Sequence, residues 1–221
     1  GLAASAHNPG STDSLASEPI RLRDINVVRR VNHLSEVSKV DLAVNPVKSS
    51  QEILRAVPGL FIAQHAGGGK AEQMFLRGFD LDHGTDINIS VDGMPVNMVS
   101  HAHGQGYADL HFLQPEVIEN IDFDKGLYDM SKGDLATAGY VAFKTRDRIP
   151  SQASVEIGMH DYQRYRASMS LIDRENESLY FAGAFLSDNG FFDSPQHLKR
   201  LNVMTKYTRW NENSRFNIIA S

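Results

Sequence analysis

SSQEILRAVPGLFI, residues 49–62, decides how the rest of the chain is read. Ser49 followed by Glu52 matches a capping box, in which each side chain satisfies a backbone N–H at a helix start. Ile53, Leu54 and Val57 make one apolar stripe, and Pro58-Gly59 stops a helix. The spacing predicts a helix over 47–59. GLFIAQHAGGGKAEQ then reads as a short strand entering a glycine-rich loop, and MFLRGF, residues 74–79, as a second strand. DLDHGTD is a polar turn. INISV, residues 87–91, alternates strictly, and Asp92-Gly93 supplies a tight turn into MPVN. PEVIEN starts with one helical turn carrying Pro115 at its head. IDFDKG and AGYVAFKT read as two more strands. Residues 40–147 are therefore expected to form a compact α+β unit.

Composition narrows the function classes. The net charge is -5 with no long block of one sign, which gives no support for nucleic-acid binding. The absence of cysteine excludes disulfides, thiolate metal sites and a cysteine nucleophile. No run of about 18 apolar residues exists, so no transmembrane helix is expected. Residues 1–19 offer almost nothing to bury and read as a flexible tail without the basic and apolar regions of a signal peptide.

After Pro150 the pattern changes to strands alone. SVEIGM, QRYRASMSLI, SLYFAGAFL, KRLNVMTKYTRW and SRFNIIAS are separated by the turn signals DRENE, SDNG and NEN. Tyr165, Ala167, Met169 and Leu171 share one face, with Arg164, Arg166, Ser168 and Ser170 on the other. Leu201, Val203 and Tyr207 likewise oppose Asn202, Lys206 and Thr208. Such an antiparallel meander suits a half-solvated soluble sheet or a membrane barrel with a wet lumen. Periodicity alone favours the soluble sheet, the commoner object.

Taken together, SSQEILRAVPGLFI, FLRGFD, INISVDGMPVN and IDFDKG, in that order and spacing, closely resemble the plug domain of TonB-dependent outer-membrane receptors. The resemblance covers roughly residues 20–147, and the later strands look like the first strands of the family's barrel. It implies a flexible tail over 1–19, a plug over 20–147 and, over 148–221, antiparallel β-strands of an incomplete transmembrane barrel. In the family a plug fills a barrel of about 22 strands in the Gram-negative outer membrane. Substrate binds on the plug's outward loops, and the periplasmic protein TonB pairs with an extended segment ahead of the plug. The resemblance therefore implies uptake without chemistry on the substrate. Its partners would be TonB, outer-membrane lipid and a scarce nutrient such as a metal ion or metal chelate. IRLRDINVV, residues 20–28, is the candidate coupling segment, through Arg23, Asp24, Ile25, Asn26 and Val27; an ordinary first strand of the plug sheet is the alternative. Five or so strands cannot close such a barrel, and open edges are not tolerated in hydrocarbon, so the chain is expected to be the N-terminal piece of a longer receptor.

SHAHGQGYADLH, residues 100–111, holds three of the nine histidines. It follows the VDGMPV hairpin, at the place where the family's plug faces outward. DLDHGTD and QHAGGGK lie in neighbouring turns. The candidate substrate contacts are His65, Lys70, Asp82, His83, His101, His103, Tyr107 and His111. His101, His103, Asp109 and His111 are the candidate metal ligands, since imidazole and carboxylate suit zinc, copper, nickel or iron. A bound metal ion is the only cofactor these residues suggest. The same side chains could instead contact a substrate without metal, or hydrogen-bond within the plug and hold a long loop. GGGKA lacks the first glycine and the Ser/Thr of a P-loop, and DLDHGTD lacks EF-hand spacing. Two rivals remain open on sequence alone: a metal-dependent hydrolase using HAH, and a soluble β-rich binding module.

Overall fold

The structure is a computed structural model that describes residues 36–38 (backbone only), 47, 49–64 and 68–221. The tail at 1–19, the candidate coupling segment at 20–28 and His65 lie outside the described residues.

Helix α1 (Ser50–Ile53) starts at Ser49, whose side chain accepts from the Glu52 backbone N–H. It is shorter than the expected 47–59. From Leu54 the backbone tightens into a 3-10 turn ending at Ala56, and Val57 is extended at ψ 114°. The cause is Pro58, whose ring disfavours helical backbone at the residue before it. Gly59, at φ +81°, then turns the chain into a small antiparallel sheet. That sheet holds β2 (Leu60–Ala63), β3 (Gln73–Leu76) and β4 (Phe79–Asp80).

A second sheet carries the bulk of the plug. Its strands are β1 (Glu36–Ser38), β5 (Ile87–Val91), β6 (Met94–Pro95), β7 (Ile118–Lys125) and β8 (Gly139–Thr145). The order is β1-β7-β8-β5-β6, with β5 and β8 parallel and the other pairs antiparallel. Ile87, Ile89 and Val91 point into the core with Leu54, Met74, Leu81 and Phe143. This is the α+β unit expected from the alternation of INISV.

The remaining strands form an antiparallel meander in chain order: β9 (Gln152–Ile157), β10 (Gln163–Arg174), β11 (Glu177–Asp188), β12 (Leu198–Asn211) and β13 (Ser214–Ala220). The two expected faces are present, but the buried one is the face that carries the polar residues, alongside Tyr180, Ala182 and Met204. Arg164, Lys206 and Thr208 are buried against the plug, whereas Ile157 is 79% exposed and Leu201 71%. Val155, Met169, Phe216 and Ile218 are also exposed on the outer face. A soluble sheet would bury the opposite face. The soluble-sheet expectation is thus corrected: apolar-out and polar-in is the alternation of an outer-membrane barrel wall.

Two polar seams fasten the wall to the plug. Glu116 meets Arg164 at 2.9 Å and also binds Arg166, which reaches Glu156 at 2.6 Å. These residues line a cavity of about 760 Å³ between plug and strands. Lys206 Nζ reaches Asp92 at 3.2 Å, Asp147 at 3.1 Å and the Thr145 hydroxyl at 2.8 Å. Asp92 is the hinge of the VDG turn, at φ +47°, and its carboxylate also accepts from the Thr145 backbone N–H at 3.0 Å. The charges balance, because Arg215 binds the second carboxylate, Asp147.

Candidate functional site

The loop after the β5–β6 hairpin is held by Asn97, a buried polar residue that periodicity does not flag. Its Oδ1 accepts from the Ile89 N–H at 2.7 Å. Its Nδ2 lies 2.9 Å from each of the Gly84, Ile87 and Gly106 carbonyls. One side chain thereby pins the DLDHGTD turn and the histidine segment to the same strand. Met98 and Tyr107 pair across the neck of the segment: the Met98 N–H donates to the Tyr107 carbonyl at 2.9 Å, and the Gly106 N–H donates to the Met98 carbonyl at 2.7 Å, closing a loop. Gly84 must be glycine: at φ +119°, an added Cβ would stand 2.9 Å from the Ala108 Cβ and 3.0 Å from the Gly106 carbonyl.

This fastening brings separate stretches of sequence together. The His83 ring is buried and packs edge-on against His103, with centroids 4.7 Å apart. Tyr107 lies 5.6 Å from His83 and stacks on His101 at 4.1 Å. The Tyr107 hydroxyl accepts from the Ala71 N–H at 2.7 Å, tying the loop that contains exposed Lys70 to the cluster. His101 Nδ1 accepts from the His103 N–H at 3.1 Å, so this stretch turns instead of running extended. Ligand atoms of Asp82, His83 and His103 lie within 4.8 Å of one another, the one such group found among the described residues.

The four-residue set read from sequence is regrouped by the fold. His111 Nδ1 lies 2.6 Å from the Asp109 carboxylate, which also accepts the His111 backbone N–H at 2.7 Å. The His111 carbonyl accepts from Asn202 of β12. Burial works to raise the Asp109 carboxyl, but the side-chain and backbone hydrogen bonds from His111 prevail and hold it below its ordinary value. Asp109 and His111 thus form a pair that docks the segment on the wall, while His103 turns toward Asp82 and His83. The reason is the two-residue spacing of Asp109 and His111, which lets the carboxylate close on its own downstream N–H and ring.

The cluster also has a defined end of the wall. The connections β10–β11 and β12–β13 are tight turns, residues 175–176 and 212–213. At the other end the β11–β12 connection runs over residues 189–197. Leu198, directly after it, packs against Gly68 of the loop that Tyr107 holds. Asn202, which binds His111, is four residues further along β12. The histidines therefore lie toward the end with the long connection.

Residues 26–140, just over half of the chain, match the TonB-dependent receptor plug domain. The chain belongs to this family. The family is one of receptors, not enzymes, so the hydrolase alternative is set aside, and with it the soluble module. Solved structures agree on the plug followed by barrel strands. The ferric citrate transporter FecA in its unliganded form is 17% identical with a TM-score of 0.63, over 82% of this chain and 29% of its own. The copper transporter OprC is 18% identical at a TM-score of 0.61, over 79% and 27%. The FrpB iron transporter from Neisseria meningitidis is 17% identical at 0.58, over 81% and 29%. At such identities the likeness is one of fold. The plug and strands described here span less than a third of the length of these three proteins.

Proposed function

We propose that this chain is the plug, over 20–147, and the first barrel strands, from 148, of a Gram-negative outer-membrane receptor for TonB-coupled uptake of a metal ion or metal chelate. The observation that carries the proposal is the placement of the histidine loop. It stands toward the long-connection end of a wall whose apolar face points outward, and in outer-membrane barrels long loops are extracellular and tight turns periplasmic. A substrate arriving from outside would meet Lys70, Asp82, His101 and His103 first, with the buried His83 and Tyr107 behind them. His65 is five residues before Lys70 in the sequence. Proteins of similar fold include a copper transporter, an iron transporter and a ferric citrate transporter, which supports the same cargo class. Energy coupling would run through Arg23–Val27, added as a strand to TonB.

The test is uptake by cells of the source bacterium that lack the receptor and carry it on a plasmid. Wild type should restore growth on limiting metal. Ile25→Pro, which removes a backbone donor from any added strand, should abolish growth while surface binding of substrate persists. Equal growth with and without the receptor on every metal and chelate supplied would contradict the proposal.

A further inference from the structure

We propose that Asp82, His83 and His103 bind a borderline divalent transition-metal ion directly, so that the cargo met at the plug is the ion itself and not only a chelate that wraps it; this rests on the uptake reading above. Two imidazoles and one carboxylate are the donors that zinc, copper(II) and nickel(II) prefer. Calcium and magnesium call for oxygen donors throughout, and copper(I) for sulfur, which no residue of this group supplies.

The arrangement has one fixed ligand and two adjustable ones. His83 is 1% exposed and sits at φ +66°, following Asp82 at φ +34°. Two successive non-glycine residues in the left-handed region are held there by their surroundings. The His83 carbonyl accepts from the Ala108 N–H at 2.9 Å, and the Asp82 N–H donates to the Asp80 carboxylate at 3.2 Å. Gly84, next in the chain, is gripped by Asn97. Tyr107 backs both imidazoles, with its ring centroid 5.6 Å from His83 and 6.0 Å from His103. Asp82 and His103 are exposed, and Asp82 Oδ1 already stands 3.8 Å from His83 Nε2. Tetrahedral bonds of about 2.1 Å separate ligand atoms by roughly 3.4 Å. Closing from 4.8 Å or less therefore needs only about an ångström of side-chain rotation by the two surface residues. Three protein ligands leave a position open, as a site that must release its ion requires.

The test is zinc titration calorimetry on the full-length receptor in detergent, with cobalt(II) absorption reporting nitrogen and oxygen ligation. Wild type should bind one zinc ion. His103→Ala and Asp82→Asn should each weaken it at least tenfold, with the metal-free melting temperature unchanged, since both side chains are exposed. Absence of stoichiometric zinc binding by wild type, or equal affinity in both variants, would overturn the site. The growth test separates the two readings. TonB-dependent uptake that persists in a receptor unable to bind zinc removes the metal site and leaves the uptake reading standing. Zinc binding that the variants lose, in a receptor whose deletion changes no uptake, supports the site and removes the uptake reading.

Discussion

Replacing Lys206 with methionine should loosen the plug from the wall. Lys206 is fully buried, and its Nζ contacts two carboxylates and both oxygens of Thr145 at 2.8–3.2 Å. Removing it leaves the Asp92 carboxylate, 6% exposed, with only Thr145 as partner. Breaking one side of a buried pair costs about 3–5 kcal/mol. Asp147 keeps Arg215, so the low end applies, about 3 kcal/mol. At 1.36 kcal/mol per tenfold this is a ~150-fold rise in the opening equilibrium. Hydrogen exchange of the β5 and β8 amides in the full-length receptor reads that opening. The double variant Asp92→Asn, Lys206→Met removes both charges and should recover most of the loss. Exchange in Lys206→Met within a factor of three of wild type, or a double variant no better than the single, would refute the reasoning.

Asn97→Ala strands the Ile89 N–H and deprives three carbonyls, and should lower stability by on the order of 3 kcal/mol in a denaturant melt. It should also weaken zinc binding, because it frees the turn that holds His83. The Asp109–His111 pair makes the loop acid-sensitive. Because folding depresses the Asp109 carboxyl, its contribution is present above the ordinary carboxylate value and is lost as pH falls through the lower folded value. Asp109→Asn should therefore flatten the fall in stability below about pH 4.

The plug was legible in sequence because its signals are local. Ile53, Leu54 and Val57 share one stripe, Pro58 ends it, and Asp92-Gly93 turns INISV into MPVN within a few residues. The strands beyond Pro150 were legible for the same reason, but not which face they bury. Alternation of Leu201 and Asn202 is identical in a soluble sheet and a barrel wall; only the plug packed on Lys206 and Arg164 separates the two. The site was half legible. The histidine density marked the right segment, yet His103 joins Asp82 and His83, some twenty residues upstream. That meeting depends on Asn97 bridging two loops, a tertiary contact with no periodic trace. Asn97 itself carried one weak signal, a polar residue closing the apolar run Met94, Pro95, Val96 of the hairpin.

Orientation of the wall tests the account most directly. The chain has no cysteine, so a single introduced thiol is unique within it. Ser194→Cys lies in the long connection, at the end of the wall toward which the histidine loop lies, and Asn213→Cys in the tight turn at the opposite end; both positions are exposed. Intact cells treated with a membrane-impermeant maleimide should label Ser194→Cys and spare Asn213→Cys, and broken cells should label both. Labelling of Asn213→Cys on intact cells with Ser194→Cys protected, or labelling of neither position on intact cells, would contradict an outward-facing histidine loop.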